Sequence, residues 1–408
     1  MTLRKSDSWM KIYGGNISMR SRVPLKAIPK MAKSMDVFID MMRGIYKKHV
    51  SSVFDYYTND GQSRSLWLIS MRITNLCNQR CAICAQWGEK GYNFERPNTV
   101  VREQVDVETY KRMIDDVADV KPHIYITGGE PFLYKGLIPL VNYMKEKKLN
   151  VQIVTNGVGL EKWAEEMVEN EWDALCVSID GPKEVHDQCR GLEGAYDTLK
   201  KGVQKIQAIK AEKGRQKPYI ITLTTISGRN ASILVESLEE AEKLNPDGMI
   251  VYYSWFTTEE IGQSHVAVME EKLGCTPTAW RGYVINRDEI DLNALVENIK
   301  TIKSRNFNSF IHFIPALKVE DIPTYYQEPG NLFGYEKCVA PWFMVDIMPN
   351  GDVVTCRDHP DYIVGNICND SLLNIYNNEK YKAFRRALKS CDKGLFPICV
   401  RCCGLMGF

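Results

Sequence analysis

Three cysteines within eight residues are the feature of this sequence best suited to chemistry. Cys77, Cys81 and Cys84 come shortly after an apolar run, so one loop can offer all three thiols to one metal centre. Thiolates select zinc or iron–sulfur clusters, and a [4Fe–4S] cluster normally takes four of them. A set of three leaves one position open to a ligand that is not protein, as in catalytic metal sites. This asymmetry indicates a working cluster, whereas a zinc knuckle would need a fourth ligand nearby.

A second group of cysteines lies close to the carboxyl end, at Cys338, Cys356, Cys391, Cys399, Cys402 and Cys403. Cys356 follows Gly351 by five residues, and a predicted hairpin there would return its thiol toward Cys338. The predicted ligands of a second cluster are Cys338, Cys356, Cys399 and Cys402. Either of the two remaining cysteines could replace Cys399 or Cys402, and a four-cysteine zinc site is the alternative.

The composition is that of an ordinary globular protein. Of the 408 residues 44% are hydrophobic and 25% are charged, and the net charge of +1 gives no reason to expect nucleic acid as a partner. No apolar run reaches the roughly 18 residues of a membrane span, and the first residues are too charged for a secretory signal. We therefore expect a cytoplasmic protein. In that reducing compartment thirteen cysteines indicate metal or redox chemistry rather than disulfides.

Short apolar runs alternate with helical stretches from Trp67 onward, which is the rhythm of β/α units with parallel strands. Six strands are predicted, at residues 67–73, 124–127, 151–155, 174–179, 219–226 and 249–255. Asn350-Gly351, between two later apolar runs, predicts a hairpin. In barrels built from such units, the site collects at the carboxyl ends of the strands.

The prediction divides the chain into four parts: a basic segment 1–66, a barrel 67–256, a connector 257–334 with a strand-like stretch at 310–315, and a small domain 335–408.

Polar motifs follow three of the predicted strands. They are Thr127-Gly128-Gly129-Glu130-Pro131, Thr155-Asn156-Gly157 and Ser178-Ile179-Asp180-Gly181-Pro182, the last followed by Arg190. Paired glycines let a ligand approach the backbone, and a carboxylate beside them suits an ammonium group. A serine or asparagine can hydrogen-bond a ribose, and an arginine can hold a carboxylate through two hydrogen bonds. The alternatives are a capping role for Glu130 and turn chemistry for Asn156 and Asp180.

Together the three-cysteine loop and these motifs resemble the radical S-adenosylmethionine (SAM) superfamily over about residues 67–255. The resemblance implies an α/β fold, a partial (β/α)6 TIM-like barrel. It implies that Cys77, Cys81 and Cys84 hold a [4Fe–4S] cluster whose open iron binds SAM. In that family, reductive cleavage of SAM gives a 5′-deoxyadenosyl radical that abstracts hydrogen from unactivated C–H bonds. A reducing electron donor such as flavodoxin or ferredoxin is the implied partner.

The resemblance also implies which residues contact SAM. Ile83 matches a position near the adenine, the Gly-Gly-Glu-Pro motif binds the methionyl amino group, and Ser178 and Arg190 match a SAM-contacting pair. The SAM-binding residues expected on this basis are Ile83, Gly128, Gly129, Glu130, Pro131, Asn156, Ser178 and Arg190.

The carboxyl-terminal cysteines resemble the first half of the SPASM pattern, over about residues 335–408. A full SPASM domain has further cysteines for a second auxiliary cluster, whereas this sequence ends soon after Cys403. The shortened form called Twitch holds one auxiliary [4Fe–4S] cluster and is the closer match. We therefore expect one auxiliary cluster in a small carboxyl-terminal domain.

The resemblance leaves out the basic amino-terminal segment. Residues 1–50 hold eleven Lys/Arg against three Asp/Glu. Apolar residues recur there at helical spacing, at Met31, Met35, Phe38, Met42 and Ile45. This predicts a basic amphipathic helix, too weakly apolar to cross a bilayer. The helix either packs its Met/Phe stripe on the main domain or lies on a membrane surface, which would make the protein peripheral on the membrane.

The sequence leaves the substrate open among three classes. The amphipathic segment favours hydrogen abstraction from a membrane lipid chain. SPASM and Twitch relatives often modify ribosomally made peptides, and Twitch relatives also dehydrogenate small carbinol or sugar substrates. A non-catalytic iron–sulfur or zinc protein is disfavoured, because the SAM motifs are present. The aromatic segment 252–256 either lines the pocket or packs in the core.

Overall fold

One mixed sheet of ten strands organises residues 35–407, which are the residues that the computed structural model describes. The strands are β1 Leu68–Arg72, β2 His123–Thr127, β3 Asn150–Thr155, β4 Ala174–Ser178, β5 Tyr219–Thr225, β6 Gly248–Tyr252, β7 Ile311–Ile314, β8 Met344–Ile347, β9 Asp352–Val354 and β10 Ile363–Asn366. Their order across the sheet is β10-β9-β8-β1-β2-β3-β4-β5-β6-β7. Strands β1 to β8 pair with one another in parallel, whereas β9 joins β8 and β10 joins β9 as antiparallel pairs at one edge.

Helices connect and cover these strands. They are α1 Met35–Tyr46, α2 Ser52–Thr58, α3 Asn98–Val101, α4 Val107–Val117, α5 Leu137–Glu146, α6 Leu160–Glu169, α7 Lys183–Arg190, α8 Ala195–Lys213, α9 Leu234–Glu242, α10 Glu259–Leu273, α11 Leu292–Ser304, α12 Ile322–Gln327, α13 Leu372–Tyr376, α14 Glu379–Ser390 and α15 Cys403–Met406. A π-helical turn, Lys47–Ser51, joins α1 to α2.

The α/β fold with a parallel barrel sheet is confirmed, and all six predicted barrel strands are present with ends within three residues of the prediction. The segment 257–334 does more than connect, because its strand β7 pairs with β6 from Met249↔Ile311 to Tyr252↔Ile314. The predicted hairpin is also present as β8 and β9, and Gly351 in its turn has φ +88°.

Side chains of strand β2 alternate between the hydrophobic core and the cavity inside the partial barrel. Ile124 and Ile126 are fully buried in the hydrophobic core, whereas His123, Tyr125 and Thr127 face the inside of the partial barrel. This follows from the alternation of side chains along a strand. The polar and aromatic residues that interrupt the apolar runs therefore line an internal cavity.

The carboxyl-terminal hairpin extends the barrel sheet. Strand β8 pairs in parallel with β1, from Leu68↔Met344 to Met71↔Ile347. Strand β9 then runs back toward the amino ends of the barrel strands, which form the base of the barrel. Cys356, two residues after β9, thus lies nearer the base than the three-cysteine loop does.

Helix α1 lies across the base and is held there by its polar face. Asp40 accepts hydrogen bonds from Trp67 Nε1 over 3.1 Å and from His123 Nδ1 over 2.7 Å. Both partners stand at the amino ends of strands. Gly44 faces the Trp67 ring, and a Cβ there would come within 2.5 Å of the ring. The helix closes the base of the barrel because a small residue and a buried carboxylate allow close contact.

This orientation corrects one of the two expectations for the helix, the inward packing of its Met/Phe stripe. Met35 and Met42 are 67% and 48% exposed, and Phe38 and Ile45 are only partly buried. Met31 lies outside the described residues. Polar contacts rather than the apolar stripe join the helix to the barrel.

We predict that Asp40→Ala lowers the free energy of unfolding by about 2 kcal/mol, because it leaves two part-buried donors without an acceptor. Asp36→Ala is the matched control, since its carboxylate pairs with Lys217 but is 54% exposed, and we expect a loss below about 1 kcal/mol. Urea unfolding followed by circular dichroism measures both. Equal losses in the two variants would contradict the role of Asp40 as the anchor of α1.

Candidate active site

A cavity of about 910 Å³ runs through the inside of the partial barrel. Its wall includes Cys81 and Cys84 at the carboxyl end of β1 and Ile45 of α1 at the base. Leu68 and Arg72, the two ends of β1, both line it, so the cavity follows the strand for about 13 Å. Most of the wall is apolar.

The three-cysteine loop leaves β1 at the carboxyl rim of the sheet. Backbone hydrogen bonds fold it tightly: Cys84 N donates to Cys81 O over 3.1 Å, and Gly88 N donates to Cys84 O over 2.7 Å. Burial raises the pKa of Cys77 to about 12, and the nearby thiols of Cys81 and Cys84 act in the same direction. The three thiols therefore lie near one another, and a bound metal centre would be needed to keep them as thiolates.

The glycine pair after β2 meets this loop through its backbone. Gly129 N donates to Thr74 O and Glu130 N donates to Leu76 O, each over 2.7 Å. A Cβ on Gly128 would lie 2.4 Å from Thr74 O, and one on Gly129 would lie 2.2 Å from Leu76 O. The glycines are thus required by the close approach of the cysteine loop, a role that the sequence interpretation did not include.

Glu130 ties this loop to the third strand. Its Oε1 accepts hydrogen bonds from Thr155 Oγ1 over 2.8 Å and from Phe132 N over 3.1 Å, and its Oε2 accepts one from Asn156 N over 2.7 Å. Glu130 is 1% exposed, and its burial raises the pKa of the carboxyl to about 7, although these hydrogen bonds act to lower that pKa. Glu130 therefore caps the turn that begins at Pro131, and its buried charge would also be stabilised by an ammonium group.

Asn156 and Ser178 lie at the same rim but outside the cavity wall. Asn156 Oδ1 accepts a hydrogen bond from Val158 N over 3.1 Å, which is turn chemistry. Its Nδ2 donates to Asn78 Oδ1 over 2.8 Å, so it also holds the cysteine loop. Ser178 ends β4 and is half-buried.

Arg190 lies directly beside the cysteine loop. Its Nη2 pairs with Asp180 Oδ2 over 2.7 Å, its Nη1 lies 3.9 Å from Cys81 Sγ, and its carbonyl accepts from Arg80 N over 3.1 Å. Its Nε is buried without a hydrogen-bond partner among the described residues. An unsatisfied buried donor costs about 1–3 kcal/mol, which an incoming carboxylate would recover.

The predicted site residues divide into a wall and a supporting layer. The cavity wall contains Cys81, Ile83, Cys84 and Arg190. The supporting layer outside that wall comprises Cys77, Gly128, Gly129, Glu130, Pro131, Asn156 and Ser178. Ile83 is 36% exposed and leaves an apolar surface open. The loop thiols, the unpaired Arg190 Nε and this surface fit a cluster that binds a ligand with a carboxylate and a flat apolar base.

Four of the carboxyl-terminal cysteines come together. The Sγ atoms of Cys338 and Cys402 each lie 4.0 Å from the position that a Cβ on Gly404 would take. A hydrogen bond with Cys402 lowers the pKa of Cys399, but burial and the thiols of Cys338 and Cys356 raise it. These electrostatic contacts join all four predicted auxiliary ligands.

The two other cysteines of this group differ in their surroundings. Cys391 Sγ donates to Ala387 O over 3.4 Å, and its charged neighbours are Lys272 and Glu271. Cys403 lies in the cavity wall, and its backbone N donates to Asp358 Oδ2 over 2.9 Å. The geometry therefore does not favour Cys391 as a ligand, whereas the Cys403 thiol lies close enough to Cys402 for the two to interact electrostatically, so Cys403 stays the alternative ligand.

Within the described chain, no three Cys, His, Asp or Glu side chains are placed to share one metal ion. A zinc site requires its ligands to converge on one point, with bonds of about 2.0–2.3 Å. In an iron–sulfur cluster each thiolate binds a different iron, so the sulfurs stay further apart.

The sequence interpretation missed a charged part of the cavity wall. Arg357 pairs with Asp346 over 3.4 Å and lies over the Tyr125 ring, 4.5 Å from its centre. Arg72 Nη2 donates to Arg357 O over 2.8 Å, and Asp358 stands next in the chain. The sequence did contain a signal for this wall, because Arg357 and Asp358 directly follow Cys356, a predicted cluster ligand.

The aromatic segment 252–256 was expected either to line the pocket or to pack in the core, and it does both. Tyr252, Ser254 and Trp255 line the cavity. Tyr253 and Phe256 are 1% and 2% exposed and pack in the core.

Comparison with known proteins agrees with this geometry. A family model described as the radical SAM superfamily matches residues 71–244, and one described as an iron–sulfur cluster-binding domain, SPASM, matches residues 338–403. The chain is similar to Fe-coproporphyrin III synthase of Methanosarcina barkeri, with 30% identity over 42% of this chain and 41% of that protein. It is also similar to the sporulation killing factor maturation protein SkfB of Bacillus subtilis, with 29% identity over 42% of this chain and 38% of that protein. The chain spans less than half of the length of these two relatives.

Among solved structures, SuiB of Streptococcus suis bound to precursor peptide SuiA has a TM-score of 0.54 and 16% identity, over 82% of this chain and 71% of that chain. This likeness concerns the fold. The two family matches together span more than half of the sequence and coincide with the barrel and the cysteine-rich hairpin domain. The chain belongs to the radical SAM superfamily and carries a carboxyl-terminal SPASM domain.

Proposed function

We propose that this protein is an enzyme that cleaves SAM at the three-cysteine loop and abstracts hydrogen from a substrate held in the cavity. The observation that carries the proposal is the placement of Cys81, Cys84 and the unpaired Arg190 Nε on one wall of the barrel cavity. When bound and reduced, the cluster supplies the electron that splits SAM into methionine and a 5′-deoxyadenosyl radical, which removes hydrogen from carbon.

The protein holds and orients these groups. Cys77, Cys81 and Cys84 are the proposed cluster ligands, and Arg190 is the proposed partner of the SAM carboxylate. Glu130 is placed to attract the ammonium group, and Ile83 offers its surface to the adenine. Their loops are tied together by hydrogen bonds, so the site is organised before SAM binds.

We assign the auxiliary cluster to Cys338, Cys356, Cys399 and Cys402. Their thiols are close together; Cys338 and Cys402 are buried, and Cys356 and Cys399 are half-buried. Burial excludes water from a cluster and thereby tunes its reduction potential. Since these residues lie toward the base and the three-cysteine loop lies at the rim, the cavity separates two redox centres.

For the substrate we favour a chain of a membrane lipid. The cavity wall is mainly apolar, and Ile45, Ile250 and Ile314 contribute to it. A depth of about 13 Å suits an extended alkyl segment, and the hydrophobic effect would hold it there. The charged wall at Arg357 and Asp358 would bind a polar group near the reacting carbon.

Modification of a ribosomally made peptide is the second candidate. This candidate is supported by the similarity to SkfB, a sporulation killing factor maturation protein, and to the structure of SuiB bound to precursor peptide SuiA. An ordered peptide would use the charged wall through backbone and side-chain hydrogen bonds. The two candidates differ in whether a lipid or a peptide changes mass in the presence of SAM.

We predict that the reconstituted, reduced protein converts SAM to 5′-deoxyadenosine under anaerobic conditions and that Cys81→Ala abolishes this activity. Loss of one of three cluster ligands removes the site at which SAM binds. Chromatography of the quenched reaction measures the product, with and without a lipid extract because some relatives need substrate. Cys391→Ala is the matched control and should retain activity. Absence of product from the wild type under both conditions would overturn the proposal.

We predict an iron content of about eight per chain in the wild type, from two four-iron clusters, and about four in Cys338→Ala or Cys399→Ala. Cys391→Ala should keep about eight, since its thiol donates to Ala387 O and its charged neighbours, Lys272 and Glu271, lie outside the group. Colorimetric iron and zinc assays give both values. Four irons with one zinc in the wild type would contradict the auxiliary assignment.

For the substrate, we predict a SAM-dependent mass change in a total lipid extract incubated with the reduced protein. Mass spectrometry would show a loss of hydrogens or a gained group on an acyl or alkyl chain. Production of 5′-deoxyadenosine without a change in any lipid would reject the lipid substrate and leave the cleavage proposal intact.

A further inference from the structure

A continuous apolar stripe faces solvent along the amino-terminal helical segment. We call it the outer stripe, and it comprises Met35, Ile39, Met42, Tyr46, Val50, Phe54 and Tyr57. These side chains are 48–67% exposed. The spacing of three or four residues between successive members is that of one helix face.

The stripe continues through all three helical pieces. Val50 lies in the π-helical turn, with Tyr46 before it in α1 and Phe54 after it in α2. A π turn is wider than an α turn, so a spacing of four residues across it keeps the three side chains aligned. The result is one surface about 22 residues long rather than scattered exposed residues, and such surfaces mark sites of interaction.

The attachment of this segment to the barrel keeps the stripe outward. Asp40 and Gly44 fix the inner face against Trp67, Arg43 Nη2 donates to Val120 O over 2.7 Å, and Lys47 Nζ donates to Arg64 O over 2.9 Å. Turning the stripe inward would break all of these contacts. These contacts therefore keep the apolar side chains of the outer stripe facing solvent.

Of the three acidic residues of the segment, two are buried and the exposed one is paired with a lysine. Residues 35–58 contain Asp36, Asp40 and Asp55. Asp36 pairs with Lys217, Asp40 is buried, and Asp55 is 3% exposed and accepts a hydrogen bond from the backbone N of Arg64 over 2.7 Å. An anionic partner would therefore meet little repulsion at the stripe.

The adjoining sequence is strongly basic. Residues 1–34 contain eight Lys/Arg and one acidic residue, Asp7, and they join the stripe at its first member, Met35. Each Lys or Arg near an anionic lipid surface contributes about 1 kcal/mol of attraction. Apolar side chains next to a basic segment are the combination that binds a helix flat on a bilayer. No helix within residues 35–407 is long and apolar enough to cross one.

We propose that the outer stripe docks this protein on a membrane surface with anionic headgroups, with the base of the barrel toward the bilayer. The inner face of the same segment, at Met41, Gly44 and Ile45, lines the internal cavity, and Val50 of the outer stripe borders that cavity. The cavity base would then lie one helix diameter, about 10 Å, from the lipid. This docking does not depend on a lipid substrate, because it concerns only the outer face of the segment.

The test is flotation of the full chain with vesicles of phosphatidylcholine containing 30% phosphatidylglycerol, beside vesicles of pure phosphatidylcholine. We expect the wild type to float with the anionic vesicles and to bind neutral ones at least about tenfold more weakly. The triple variant Ile39→Gln, Met42→Gln, Phe54→Gln avoids the cavity wall and should bind the anionic vesicles roughly a hundredfold more weakly, because partial insertion of one apolar side chain is worth about fivefold. Circular dichroism and thermal melting check that it folds.

The matched control is Ile363→Gln with Leu373→Gln, which removes exposed apolar residues of the carboxyl-terminal domain and should leave flotation unchanged. Two results would overturn the proposal: a wild type that stays with the soluble fraction, or a folded triple variant that floats as well as the wild type. If the triple variant instead converts a wild-type dimer to a monomer by light scattering, with no flotation of either, the stripe is an interface between copies. Flotation and SAM cleavage are measured separately, so either proposal can fail alone.

Discussion

The backbone contact between the loop after β1 and the loop after β2 is the constraint on which the rest of the site depends. Neighbouring parallel strands bring both loops to one rim, and the absence of a Cβ at Gly128 and Gly129 lets them touch. Glu130 then accepts a hydrogen bond from Thr155 at the end of β3, and the carbonyl of Arg190 accepts one from Arg80 N in the cysteine loop. Four successive strands are thus tied into one frame around three thiols.

The second constraint is the pairing of β8 with β1. It makes the SPASM hairpin a part of the barrel sheet, so the position of Cys356 is fixed relative to the strand that leads into the three-cysteine loop. The antiparallel return of β9 places the auxiliary cysteines toward the base. A substrate in the cavity would therefore lie between the rim, where we propose that hydrogen is abstracted, and a charged wall, including Arg357, that belongs to the hairpin domain.

The sequence was informative where a signal is local. The strand positions and the Asn-Gly hairpin could be predicted, because alternation and turn chemistry are short-range properties. The stretch 310–315 could be recognised as strand-like, but neither its pairing with β6 nor the place of Arg357 in the cavity wall could be predicted, since each depends on a distant strand. The helix α1 was predicted as amphipathic, but its polar face packs inward, because Asp40 and Gly44 fit Trp67 and His123 more closely than a methionine could. Hydrophobic periodicity locates a helix without showing which face meets the protein.

The central claim is that the chain holds two different metal centres, of which only the one at the three-cysteine loop is open to SAM. Electron paramagnetic resonance of the anaerobically reduced protein tests it most directly, recorded with and without SAM in the wild type and in Cys338→Ala. The account predicts two cluster signals in the wild type, one of which shifts on addition of SAM, and only the SAM-responsive signal in the variant. A single signal that SAM does not change, or a SAM-responsive signal that disappears in Cys338→Ala while the other remains, would contradict it.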